Sequence, residues 1–186
     1  MDGSPLTPEQ QQDLAEAQER ASSFAGAAKV AAFNGWTFAF FAAVSILSGL
    51  FSLPAFLVGV GLGLVAWNEL QGRRRVLDHD PGGFELLWKN QLALMAIIVV
   101  YCAWAMYRSR VAPDPSIQEL DEVLGAGTSE LFQSIVTTMY GAVIAGTVVY
   151  QGFMARYYHA RIARMKEYLE ATPGWVVELQ RSLRER

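Results

Sequence analysis

Charge is absent from three long stretches of this 186-residue chain, and that absence constrains the fold more than any motif does. No Asp, Glu, Lys or Arg falls in residues 30–68, 90–107 or 131–155, runs of 39, 18 and 25 residues. An α-helix rises 1.5 Å per residue, so about 20 apolar residues cross a hydrocarbon core of about 30 Å. The two shorter runs are each one such helix, and the longest holds two. Whole-chain averages blur this pattern: 52% of residues are apolar and 18% charged, with a net charge of −3. The expected fold class is all-α, a polytopic membrane protein built as a four-transmembrane-helix bundle with cytoplasmic helical extensions at both ends.

Ser52-Leu53-Pro54 divides the longest run, because proline is tolerated in a first helical turn and breaks a helix interior. Spans are expected at about 30–50, 54–72, 88–107 and 129–155. The second has few apolar residues before Glu69, so it should continue toward Arg73 and hold Glu69 near the inner headgroup boundary. The third has an interfacial lead-in from Phe84. Residues 1–29 then form an acidic amphipathic cytoplasmic helix, 30–155 the membrane domain, and 156–186 a basic helical C-terminal segment. The first 29 residues carry two bases (Arg20 and Lys29) and five acids, the reverse of a cleavable signal peptide.

Lysine and arginine counts set the orientation. The N-terminal segment carries 2, the loop after the second span 4 (Arg73, Arg74, Arg75, Lys89) and the C-terminal segment 7, or 13 in all. The other side has none in its first loop and 2 in its second, Arg108 and Arg110. Both termini are therefore expected inside, in the plasma (inner) membrane of a bacterium. Trp36, Trp67 and Trp88 fall toward the cytoplasmic interface, and Tyr101, Trp104 and Tyr107 toward the outer one, the two levels that amphipathic rings favour.

Outside the apolar runs, Thr7-Pro8-Glu9-Gln10 reads as a helix start, with Thr7 as N-cap and Gln10 closing a capping box. Leu14, Ala17, Ala21, Phe24 and Ala28 follow at helical spacing. Tyr158, Ile162, Met165 and Leu169 repeat that spacing on an extension of the fourth helix. The stalks differ in charge: Asp13, Glu16 and Glu19 on one, Arg156, Arg161, Arg164 and Lys166 on the other. Either they pair, burying both stripes, or the basic one lies on anionic lipid headgroups. Thr172-Pro173-Gly174 restarts a short helix with Trp175, Val176 and Leu179. On the outer side, Ser116-Ile117-Gln118-Glu119 is a second capping box, opening a short helix that Gly125-Ala126-Gly127 ends.

Three groups of residues are candidates for function. Helix packing is marked by the pair Gly59 and Gly63, and by rows of small residues on the fourth helix: Ser134, Thr138, Ala142 and Gly146, beside Thr137, Gly141 and Ala145. Small side chains let backbones approach where lipid supplies no hydrophobic drive to association. An inner-leaflet polar layer collects Asn34, Asn68, Glu69, Lys89, Asn90, Gln91 and Gln151, with Glu69 and Lys89 placed to pair across one loop. Interhelical hydrogen bonding is its simpler use; an ion or solute site is the sharper one. Glu130, Gln133 and Thr137 share one side of the fourth helix and could line a pore mouth in an oligomer.

Other chemistry is poorly supplied. Asp78-His79-Asp80 with Glu85 precedes Pro81-Gly82-Gly83 and reads as a solvated turn, so no metal site is expected. Cys102, the only cysteine, has no intrachain disulfide partner and reads as a packing residue. No HExxH, Walker loop, nucleophile elbow or CxxC occurs. Arg73-Arg74-Arg75 is accounted for by topology and anionic headgroups, so no nucleic acid partner is called for. The expectation is a non-enzymatic membrane subunit, scaffold or interaction module, without cofactor, that self-associates or binds another membrane protein. The alternative is a small oligomeric ion channel or transporter with a polar site near the cytoplasmic leaflet.

Overall fold

The computed structural model describes residues 6–111 and 127–183. Among these residues the chain is all-helical, with no strand and five helices: α1 Pro8–Ser48, α2 Leu53–Leu77, α3 Pro81–Val111, α4 Thr128–Ala171 and α5 Gly174–Ser182. The first four are long and apolar enough to cross a membrane. The outer helix expected from Ser116 lies outside the described residues.

Local chemistry explains most helix ends. At the start of α1, Gln10 N–H donates to Thr7 Oγ1 (3.3 Å) and Thr7 N–H donates to Gln10 Oε1 (3.0 Å), with Pro8 in the first turn. Two orphan donors are thus satisfied reciprocally. Nothing interrupts α1 for 41 residues, so the acidic stalk and the first apolar run are one helix. The basic stalk is likewise continuous with the fourth apolar run, in a helix of 44 residues. Thr172-Pro173 ends that helix, and α5 follows.

The connection between α2 and α3 differs from expectation. Arg73, Arg74 and Arg75 lie in the last turns of α2, and Lys89 lies well inside α3. The loop shrinks to Asp78, His79 and Asp80. His79 takes the left-handed conformation (φ 56°) that reverses the chain. Asp80 accepts from Gly82 N–H at 2.8 Å and so serves as the cap of α3, with Pro81 in the first helical position that suits it. Hydropathy marks the span from about residue 88 with a lead-in from Phe84; the cap and proline start the helix itself at Pro81.

Two compact units divide the described chain: residues 1–90 with 155–186, and residues 91–154. In the first unit α1 and α2 form a hairpin whose backbones nearly touch. A Cβ added at Gly59 would lie 2.7 Å from Ile46 N and 3.1 Å from Ala42 O, so Gly59 closes the hairpin within one chain. Gly63 is looser, with Ala42 Cβ at 3.9 Å from the same test position. The start of α3 is pressed as tightly on α2: a Cβ at Gly83 would lie 2.5 Å from Val76 N.

An aromatic core joins the stalks in this unit. The Phe24 ring meets Tyr168 at 5.5 Å and Phe84 at 6.0 Å, both edge-on, and Phe84 reaches Tyr158 at 6.5 Å. Such pairs add about 0.5–1.5 kcal/mol each beyond the area they bury. The stalks therefore meet through rings. Their charges are used locally: Arg20 bonds Glu16 on its own helix at 2.9 Å, and Arg161 lies over the ring of Tyr157. The short α5 closes this end, burying Val176 and Val177. Tyr168 OH donates to Gln180 Oε1 at 2.7 Å, and Arg181 Nε donates to Asp78 O at 2.8 Å.

The second unit comprises the later part of α3 and the first part of α4. Leu94 and Cys102 are buried there, and Tyr101 meets Tyr140 edge-on at 6.5 Å. This unit is sparsely packed. None of the most apolar 18-residue stretch of α4 is buried, against 22% of the corresponding stretches of α1 and α2.

Candidate functional site

Glu69 is a buried carboxyl held by a hydrogen bond from another helix. It sits on α2 one turn after Val65, and its side chain is fully buried. Asn90 on α3 faces both. Its Nδ2 donates to Glu69 Oε1 at 2.9 Å and to Val65 O at 3.1 Å, while its Oδ1 accepts from Asn68 Nδ2 at 3.3 Å. One carboxamide thus ties a carboxyl, a helix carbonyl and a second carboxamide together. Asn34 is buried on α1. Its neighbour Gly35 lets that helix approach α2, since a Cβ at Gly35 would lie 3.3 Å from Glu69 Cβ and 2.9 Å from Leu70.

The close approach of α1 and α3 buries Glu69, and one expectation about this layer is corrected. Lys89 does not join it: its Nζ stands 3.6 Å from Glu85 on the exposed side of α3 and 5.9 Å from the Trp88 ring. Helix geometry accounts for the miss, since Lys89 and Asn90 project about 100° apart around a helix of 3.6 residues per turn. Gln91 and Gln151 are both buried and belong to the second unit.

The chemistry of the Glu69 cluster is that of a carboxyl held by amides. A buried carboxyl is costly unless hydrogen-bonded, and a hydrogen bond to a charged group is worth about 1.5–3 kcal/mol. Asn90 is therefore one of the residues that fix α3 against α2, beside the close approach at Gly83.

A second polar site lies in the second unit. Glu130, Gln133 and Thr137 line a cleft of about 310 Å³ together with Ser134, Thr138 and Arg110. Arg110 is marked by the sequence as a base of the outer loop and not as a partner of this face. It closes α3, eighteen residues before α4 begins, and no periodicity links it to Glu130. The row Ser134, Thr138, Ala142 and Gly146 is exposed, and a Cβ added at Gly141 or Gly146 meets nothing within 4 Å. Among the described residues, then, the two sets of packing residues part company: Gly59 is covered and the α4 row is not.

The turn residues are engaged elsewhere. Asp80 caps α3, Glu85 holds Lys89, and the His79 ring stacks on Tyr168 at 5.3 Å. Among the described residues no three His, Cys, Asp or Glu side chains are grouped to hold a metal. An open cavity of about 280 Å³ lies beside this turn, lined by Phe24, Val76, Leu77, His79 and Gln180 among others. Tyr168, beyond the last charge-free run, has its hydroxyl pushed above the ordinary tyrosine range by burial. Its hydrogen bonds to Gln180 and Thr172 act in the opposite direction. Trp88 stands edge-on to His159 at 5.4 Å.

No family model, curated protein or solved structure matches this chain. The residues themselves carry the functional reading.

Proposed function

We propose that this chain is a multi-pass protein of a bacterial inner membrane with both termini in the cytoplasm. In this reading it acts as a non-enzymatic subunit, scaffold or interaction module that self-associates. Four helices of sufficient length and apolarity support insertion. The 13 lysines and arginines on the side of the termini, against 2 on the other, support the orientation. Exposed Trp36 and Trp67 suit one interface, exposed Trp104 and Tyr107 the other. Arg74, Arg75, Arg156, Arg164 and Lys166 are exposed at the end assigned to the cytoplasm, where anionic headgroups attract them.

One observation carries the scaffold reading. Asn90 commits its donors to Glu69 and Val65 and its acceptor to Asn68, so the deepest polar side chains of the first unit serve helix register. A second reading, a small oligomeric channel or transporter, is favoured by Glu69 itself. An ionisable residue wholly buried beside an apolar run is a usual mark of an ion or proton path.

Cation flux into liposomes carrying the wild-type chain, Glu69→Gln or Glu130→Gln separates them. The scaffold reading expects no flux from any of the three. Flux that either substitution alters would replace it with the channel reading. A reporter fused to the C-terminus tests the orientation, and activity on the periplasmic side would contradict it.

A further inference from the structure

On the membrane reading above, we infer that the small-residue face of α4 is the contact surface for a second copy of this chain. The exposed surface of α4 has two chemically different faces. On one, Phe132, Ile135, Met139 and Val143 present large apolar side chains to the outside. Lipid tails solvate such groups well. Roughly 130° around the axis, by the 3.6-residue turn, Ser134, Thr138, Gly141 and Ala145 fall on a single line.

No neighbour within the described chain accounts for that line. Ser134, Thr138 and Ala145 are exposed, and a Cβ at Gly141 would enter open space. Lipid does not account for it either, since a hydroxyl gains nothing from hydrocarbon and a glycine covers little of it. A facing helix accounts for both, because small side chains admit a close backbone approach and hydroxyls can bond across it.

The polar cleft supplies the independent observation. It adjoins the same face, sharing Ser134 and Thr138, and it contains both a cation, Arg110, and an anion, Glu130. Two copies related by a two-fold axis parallel to α4 present this cation and anion to each other in reverse order, so the Arg110 guanidinium of each copy can face the Glu130 carboxylate of the other. A patch that carries both members of the pair is self-complementary, as an isologous interface requires. That complementarity selects a second copy of this chain over an unrelated apolar helix.

Disulfide trapping in membranes tests the assignment. In a Cys102→Ala background, full-length chains carrying Thr138→Cys, Ala145→Cys, Met139→Cys or Val143→Cys are oxidised and resolved without reductant. Covalent dimer is expected at Thr138 and Ala145 and is expected to be lost at Met139 and Val143. Gly141→Leu is expected to remain folded and to run as a monomer in mild detergent. Trapping on both faces alike, trapping only at Met139 and Val143, or a wild-type chain of monomeric mass would overturn the inference. A folded, inserted monomer overturns it alone, whereas a wild-type chain absent from the membrane fraction overturns the membrane reading as well.

Discussion

The two units are built from similar helices and treat them in opposite ways. In the unit formed by residues 1–90 and 155–186, the Phe24 ring, Gly59, Gly83 and the Asn90 carboxamide find partners inside the chain. In the unit formed by residues 91–154, the first half of α4 keeps Ser134, Thr138, Ala142 and Ala145 on the outside. Glycine makes the contrast concrete. At Gly59 and Gly83 the backbone of a neighbouring helix occupies the space a side chain would need, while at Gly141 that space is empty. Gly59 and Gly83 thus mark close approaches within the chain, and Gly141 is left open to a neighbour from outside it.

The largest effect separating the units is expected from Gly83→Leu, which forces a side chain against the backbone of α2. Folded protein recovered in mild detergent should fall sharply, consistent with overpacking costs of about 3 kcal/mol or more. Near-normal recovery would mean that the α2–α3 contact is looser than described. Phe24→Ala removes the ring shared by both stalks, at an expected cost of about 3–4 kcal/mol, read as a lowered thermal midpoint. Stalks that do not pack together would leave that midpoint in place.

Asn90→Leu comes next. It withdraws a donor from buried Glu69 and should cost about 2 kcal/mol, while Glu69→Gln, which keeps an acceptor for Asn90, should cost less. Equal losses would indicate that burial alone, and not the Asn90 bond, decides the cost. Smallest in the closed unit is Arg181→Ala, which breaks one exposed hydrogen bond between α5 and the α2–α3 turn. A change of about 1 kcal/mol or less is expected, with faster proteolysis of the C-terminal segment as the more sensitive readout.

What was legible in the sequence follows from the range of the forces involved. Charge-free runs mark the apolar stretches of the four long helices, because a charge is costly wherever a helix faces an apolar environment over many turns. The Thr7 capping box and the spacing of Ala17, Phe24 and Ala28 are local features, and local features survive without knowledge of the partner. The burial of Glu69 was not legible in that way: it depends on Gly35 drawing α1 close and on Asn90 arriving from α3. Arg73, Arg74 and Arg75 resembled a loop because charge marks the end of an apolar run, yet a helix continues past that end until a cap or turn stops it. The presence of Arg110 in the cleft with Glu130 had no signal in spacing, since the two lie on different helices.

Placing one substitution in each unit tests the contrast most directly. Gly59→Leu and Gly141→Leu are compared with the wild-type chain by mass in mild detergent, counting only folded material. The predicted result is loss of folded protein for Gly59→Leu, and a folded monomer for Gly141→Leu where the wild type is a dimer. A tolerated Gly59→Leu, or a Gly141→Leu chain that misfolds or keeps the wild-type mass, would contradict the division into a unit closed on itself and a helix face left for a second copy.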